Sequence, residues 1–403
     1  MPGGKAQNVT RVLAGSGVTV REAGPPDAVG GVLPGWVALP ESVEEVSALL
    51  RACAGAGLAT TAVGGGTKLH WGAPPERCDV LIDTCCLNEV IEYTPGDLVV
   101  RVQAGVTLEA LAALLAEQGQ ELVCDGPFGD EATIGGMLAT GATGPRAFRY
   151  GTPRDLLIGI TVVLADGTIA KSGGKVVKNV AGYDLGKLFT GSYGTLGVIA
   201  EAAFRLHPVP AARAWVLARL SRDAVQRAAV RLAAAQAEPA AVELDWPDLR
   251  GPVNLAALVE GAAAGQRAHA LAALLGEGAE VTGEGPEWWG EPAGSEALAE
   301  VRCLPAQVTR VLGRVAEWPG LSLRGSPVAG RFWLEGAGEG FGAAVAGLRE
   351  AGARVSVLAA PYDLGLDKID RWGEVSALPL MRRVKEQFDP GRRMSPGRFV
   401  GGI

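Results

Sequence analysis

The sequence predicts an α+β protein: a first region built around glycine-rich loops, then an α/β region whose alternating strands and helices form an antiparallel, ferredoxin-like sheet. Three observations predict it. A βαβ pattern occupies 35–63, three glycine clusters fall between residues 64 and 197, and strand–helix alternation with short turns repeats through 209–363.

Taken in order, "GWVALP" at 35–40 reads as a strand, and Ser42 with Glu45 forms a capping box that opens the helix "VEEVSALLRACA". "LATTAV" at 58–63 returns as a strand and ends at Gly64, Gly65 and Gly66. Glycine lets main-chain N–H groups approach an anion closely, yet bare glycines also make ordinary turns. "TKLHWGAPPERC" follows, and Pro74-Pro75 argue against the long helix with which a Rossmann or P-loop phosphate site opens. Neither GxGxxG nor GxxxxGK[ST] is present, so a nicotinamide-binding Rossmann domain loses its support, and the loop would hold an anion by backbone alone. "DVLIDT" (79–84) and "DLVVRVQAGV" (97–106) are strands, and "LEALAALLAEQG" is a helix with Thr107 as N-cap and Gly119 at its end. A second glycine loop is expected in "ATIGGMLATGATGPRAFRYG" (132–151). "LLIGITVVLADGTIAKSGG" reads as a hairpin across Asp166-Gly167, and "GSYGTLGVIAEAAFRLHP" (191–208) offers a third glycine loop feeding a strand. Three such loops in one region point to one shared ligand more than to three independent turns.

Beyond residue 208 the composition shifts toward alanine and arginine. "RAWVLARL" is a strand, "DAVQRAAVRLAAAQA" a helix capped by Ser221, "AAVELDWP" a strand, and the pattern recurs as far as "RVSVLAA". The loop "GPEWWGEPAGSE" carries Trp288 and Trp289, which either anchor a partner or tuck onto their own domain.

At 403 residues, 48% apolar and 20% charged, the chain is globular and long enough for two or three domains. No run approaches the ~20 apolar residues of a membrane span, and the N-terminus lacks a signal-peptide stretch, so a cytoplasmic location is expected. A net charge of −7 argues against nucleic acid as the main partner. The six cysteines include no CxxC spacing, and His70, His207 and His269 are far apart, so no metal centre and no Ser/His/Asp arrangement is expected.

The order of motifs resembles the FAD-binding domain shared by the vanillyl-alcohol oxidase and p-cresol methylhydroxylase (PCMH) flavoproteins, and within that family the FAD-binding subunits of glycolate oxidase. The matching residues are "GGGTKL" at 64–69, "TIGG" at 133–136, "RYGTPRD" at 149–155, "VVLADG" at 162–167 and "AGYDLGKLFTGSYGTLGVIAE" at 181–201. The last segment, "VKEQFDPGRRMSPGRF" (384–399), resembles the terminal element of such chains, with Ser395 in the place usually held by Asn. The resemblance implies a two-subdomain PCMH-type FAD-binding domain over 1–208, a cap domain over 209–363 and a returning segment over 364–403. It assigns Gly64, Gly65, Gly66, Thr67 and Lys68, with Leu69 completing the motif, to the FAD pyrophosphate. Thr133, Ile134, Gly135, Gly136, Thr140 and Gly141 would line the second loop, and Val198 and Ile199 would lie near the cofactor behind the turn of Gly194 and Gly197. Many relatives tether the flavin through a histidine directly after the loop glycines; Thr67 stands there, so noncovalent FAD is expected.

For oxidation of a 2-hydroxy acid a base and a cationic carboxylate clamp are needed. Relatives that act on D-2-hydroxy acids carry histidine-rich motifs for this purpose, and the sequence has none. Arg146, Arg149, Lys178, Tyr183 and Arg331 are candidate clamp or base residues, each with the plainer reading of a structural or solvated group. No catalytic residue follows from the sequence. The reading is therefore a flavin-binding subunit of a glycolate oxidase-like complex, beside a catalytic flavoprotein subunit and an iron–sulfur subunit, with its own flavin relaying electrons. A self-sufficient flavin oxidase or dehydrogenase, and an FAD-containing scaffold without a redox role, stand as alternatives.

Overall fold

The computed structural model describes residues 3–127, 129–174, 183–336, 338–360 and 369–403. Three principal sheets organise them. In the first, the strands Trp36–Leu39 and Thr60–Val63 both run parallel to Val80–Asp83, which lies between them, and Thr19–Glu22 adds an antiparallel edge. The helix Val43–Ala56 makes the crossover. It starts where Ser42 accepts a hydrogen bond from the Glu45 N–H (3.1 Å), while the Glu45 carboxylate accepts from the Glu41 N–H (2.8 Å). It stops at Gly57, which takes φ +66°. Its face of Val46, Leu49, Leu50 and Cys53 packs on Val80 and Ile82, and burying each leucine there contributes about 1.5–3 kcal/mol.

The second sheet is antiparallel throughout, in the order Val90–Thr94, Val99–Gln103, Gly197–Arg205, Leu157–Leu164, Ile169–Gly173. The last two strands are the hairpin expected across Asp166-Gly167. Two expectations shift in detail. The helix begun by Thr107 ends at Ala116, three residues before Gly119, because Gly119 (φ +62°) turns the chain into the strand Gln120–Glu121. Ser221 sits at the N-cap of Arg222–Ala233, but its side chain makes no capping bond.

The third sheet has eight strands, every pair antiparallel, between Arg213 and Ala359. One of its faces is apolar. Val242, Leu244, Val301, Leu323 and Phe332 are buried there, in one cluster with Val225, Leu271, Leu312 and Phe341 from four helices. The alternation of strand residues turns Glu243, Asp245, Glu300, Arg302, Arg324 and Arg331 to the opposite face.

The C-terminal stretch packs on the first two sheets. From the helix Leu378–Phe388, the buried Lys385 ammonium donates to Asp389 (2.7 Å) and to the carbonyls of Thr195 (2.7 Å) and Met394 (2.9 Å). The Asp389 carboxylate accepts from the N–H groups of Arg393 and Met394, both at 2.7 Å. Beyond it, Ser395 N donates to Thr60 O (2.8 Å), so the chain ends beside the strand that carries the first glycine loop.

Candidate functional site

The strand Thr60–Val63 delivers Gly64, Gly65 and Gly66 to the edge of a cleft. Their bareness has a local cause. A Cβ on Gly64 would strike the Thr133 hydroxyl, and one on Gly65 would overlap the Glu131 carbonyl oxygen. Gly66 takes φ +69°. The first glycine loop is therefore kept bare so that a second backbone segment can lie directly against it.

That second segment is not wholly a loop. Thr133 caps a short helix, Ile134–Thr140, accepting from the Gly136 N–H at 3.2 Å, and Gly141 ends the helix at φ +65°. The capping hydroxyl and the left-handed exit satisfy both ends, which is why a stretch read as loop turns helical. The third segment seats on this helix: Gly191 N donates to Leu138 O and Tyr193 N to Ala139 O, both at 2.8 Å.

Gly64, Gly65, Gly66, Thr67, Lys68, Leu69, Thr133, Gly135, Gly136, Thr140, Gly194, Gly197 and Ile199 consequently line one cleft. Ile134 and Val198 do not, since their side chains are buried in the cores beneath. Gly141 lines an adjoining cavity of about 1190 Å³, and the two hollows meet at Thr140 and Tyr193. The far wall of that cavity is the polar face of the eight-stranded sheet, with Glu243, Glu300, Arg302, Arg324 and Arg331.

One charged cleft residue escaped the sequence reading. Arg398 is 4% exposed, donates to the carbonyls of Leu69 (3.2 Å) and Trp71 (2.9 Å), and leaves its other terminal nitrogen buried with no hydrogen-bond partner. No carboxylate pairs with it among the described residues, and burial pulls the guanidinium down to about 10. A buried cation without a counter-ion is costly unless an anion arrives. The loop is thus not left to backbone alone. The only hint in the sequence was an arginine just past the terminal Pro396-Gly397.

The other candidates separate. Arg146 is engaged by Glu121 (2.9 Å), Asp125 (3.2 Å) and Glu260 (3.4 Å), a structural knot. Arg149 lies over the Tyr150 ring, with Glu238 3.9 Å away. Tyr183 is 93% exposed, and Lys178 lies outside the described residues. Of the four that are described, Arg331 alone lines the large cavity. None of the three histidines lines either hollow. His269 Nδ1–H donates to the Gly265 carbonyl (2.8 Å) within its own helix, and His207 meets the Tyr150 ring edge-on. Trp289 packs edge-on against Trp215 with centroids 4.3 Å apart, so it is tucked onto its own sheet.

Residues 34–173 match the family described as FAD binding domain. The chain carries an FAD-binding domain. The glycolate oxidase subunit GlcD of Bacillus subtilis (strain 168) is 35% identical over 219 residues, 54% of this chain and 47% of that protein. Subunit GlcE of Escherichia coli (strain K12) is 42% identical over 132 residues, 32% of this chain and 38% of that one. The mitochondrial D-lactate dehydrogenase [cytochrome] 1 of Saccharomyces cerevisiae (strain ATCC 204508 / S288c) is 37% identical over 199 residues, 49% of this chain and 33% of that one. The match thus spans less than half the length of these relatives. Among solved structures, p-cresol methylhydroxylase with substrate bound superposes at TM-score 0.73 and 16% identity over 98% of this chain and 96% of the other. Chitooligosaccharide oxidase gives 0.69 and 18% over 96% and 98%. Both likenesses concern the fold.

The residues present fit FAD. The glycine-lined cleft offers bare backbone from the first glycine loop, and the buried Arg398 guanidinium, with no carboxylate partner among the described residues, suits a cofactor that carries a negatively charged diphosphate. Lys68, half-buried at the cleft with its ammonium 5.1 Å from the Trp71 ring centroid, has its pKa lowered by burial against the opposing pull of Glu291.

Proposed function

We propose that this chain is an FAD-dependent oxidoreductase that serves a small 2-hydroxy acid as one subunit of a glycolate oxidase-like assembly, beside a catalytic flavoprotein subunit and an iron–sulfur subunit. One observation carries the reading: the glycine-lined cleft shares Thr140 and Tyr193 with a large cavity walled by arginines and carboxylates, and no histidine lines either hollow. When bound, FAD supplies the hydride acceptor. The glycine loops and Arg398 hold the cofactor, Tyr193 stands at the junction of the two hollows, and the sheet wall receives what enters the cavity. The names of the relatives, glycolate oxidase subunits and D-lactate dehydrogenases, support the 2-hydroxy-acid class. The same reading divides the chain into an FAD-binding domain (1–208), a cap (209–363) and a returning segment (364–403), and assigns Gly64 to Leu69, Thr133 to Gly136, Thr140, Gly141, Gly194, Gly197, Val198 and Ile199 to the cofactor's surroundings. With no histidine at the cleft, the flavin is held noncovalently; acid precipitation should release all of it to the supernatant, and yellow pellet would contradict this.

No helix among the described residues is long and apolar enough to cross a membrane. The test is anaerobic mixing of the FAD-loaded chain with glycolate and with D-lactate. Flavin bleaching only after the partner subunits are added supports the relay. Bleaching by the chain alone supports a self-sufficient dehydrogenase, the second reading, which the large cavity beside the cleft favours. No bleaching in any assembly leaves an FAD-containing scaffold.

A further inference from the structure

The cavity face of the eight-stranded sheet carries a polar row that the sequence does not reveal. Ser326 lies opposite Arg331, and Arg331 opposite Arg302. Leu244 pairs with Gly325, so the antiparallel register sets Glu243 opposite Ser326. Four side chains from four adjacent strands thus stand side by side. The next row on the same face holds Asp245, Arg324, Trp333 and Glu300.

The ion pairs of these rows do not balance. Glu300 takes both Arg331 (2.5 Å) and Arg302 (2.8 Å), and Asp245 takes Arg324 (2.7 Å). Glu243 takes none: it is 7% exposed, and its Oε1 is buried with no hydrogen-bond partner. The Ser326 hydroxyl donates to the Val242 carbonyl at 2.9 Å, and its contact with the Glu243 carboxyl works against the effect of burial there. The charged groups that reach Glu243 are Asp125, which pushes its carboxyl further up after burial, and Arg331, which pulls it down; burial wins and the carboxyl titrates well above the usual range. With the Glu243 carboxyl pushed toward its neutral form, the three guanidiniums of these two rows have two carboxylates to pair with, an excess of one positive charge across the rows. Arg331 uses Nε for Glu300, and its terminal nitrogens have no hydrogen bond among the described residues.

We propose that Glu243 and Arg331 form a recognition site for a single monocarboxylate, with the guanidinium pairing to the ligand's carboxylate and the Glu243 carboxyl donating a hydrogen bond to a ligand oxygen. This deepens the 2-hydroxy-acid reading and rests on it. Bidentate guanidinium–carboxylate pairing supplies the attraction, and the neutral acid avoids placing a second anion beside the first. Ionising Glu243 cancels the excess charge, so affinity falls as pH rises, approaching tenfold per pH unit once the carboxyl has titrated.

Oxamate, a monocarboxylate that flavin cannot oxidise as a hydroxy acid, is titrated into the FAD-loaded chain by calorimetry from pH 5.5 to 9. The expected result is one oxamate per chain, bound most tightly at the acid end. Arg331→Met should weaken binding at least tenfold at every pH; Glu243→Gln, which keeps the neutral shape, should retain binding and lose the pH dependence. Circular dichroism and flavin content confirm that each variant is folded and loaded, and the wild-type pH profile stands if a variant fails to fold. Absence of oxamate binding, unchanged binding in Arg331→Met, or an unchanged pH profile in Glu243→Gln overturns the site. The anaerobic glycolate experiment reads the other proposal separately. Oxamate bound without bleaching by any 2-hydroxy acid sinks the oxidation and leaves the anion site, whereas bleaching without oxamate binding does the reverse.

Discussion

The two walls of the site are built on different principles. The glycine-lined cleft is made of backbone: its glycines are set by close contacts such as Gly64 on Thr133 and Gly65 on Glu131, where no side chain fits. The sheet wall is made of side chains, Glu243, Ser326, Arg331 and Arg302, that come from four strands between residues 241 and 331 and share a row only through register. A backbone-built wall leaves a signature of glycine that any reading of the sequence meets. A register-built wall leaves none, since each member is an ordinary charged residue on an alternating strand.

The comparison can be broken most severely at Gly65. Gly65→Ala drives a methyl into the Glu131 carbonyl, so the two glycine loops separate and the purified protein should come out colourless; retention of stoichiometric FAD would show that the backbone contact is dispensable. The C-terminal stretch that presses Arg398 into the cleft comes next. Lys385→Met leaves Asp389 buried without its cation and should cost about 3–5 kcal/mol in denaturant unfolding. A change under 1 kcal/mol would mean that the latch does not hold this wall together.

Arg398→Met sharpens the contrast between stability and binding. Removing a buried cation that no carboxylate compensates should leave the apoprotein as stable as before or more so, yet weaken FAD about 10–100-fold, the loss of one charge-assisted contact of roughly 1.5–3 kcal/mol. Weaker FAD together with an equally destabilised apoprotein would instead mark Arg398 as structural. The smallest effect belongs to the other wall. Glu243 keeps its proton above the pH at which an unfolded glutamate loses it, so between those two values the folded state binds more protons and stability falls as pH rises. Glu243→Gln should flatten that slope and gain about 1–2 kcal/mol at alkaline pH, read from urea unfolding at pH 5.5 and 8.5; parallel slopes in both proteins would sink the assignment.

Legibility follows the same division. The capped helix Val43–Ala56, the strand Thr60–Val63, the hairpin across Asp166-Gly167 and the antiparallel sheet with its helices were all readable, because caps, turns and apolar periodicity act within a few residues. The short helix Ile134–Thr140 was read as loop, since its glycines disguise a segment that Thr133 and Gly141 terminate well. Arg146 looked like a clamp until Glu121, Asp125 and Glu260, 25, 21 and 114 residues away, were seen around it.

By itself the sequence determined the glycine-loop architecture, the α+β class and the resemblance to FAD-binding flavoproteins, because these rest on local backbone demands that residue type alone reveals. Only the tertiary structure decided that Arg398 is a buried cation with no carboxylate partner among the described residues, that the first glycines serve loop-on-loop contact, and that burial pushes the Glu243 carboxyl up on the face it shares with Arg331. Burial and charge balance are properties of what surrounds a side chain, and for these residues the surroundings arrive from strands and loops that the chain brings together only on folding.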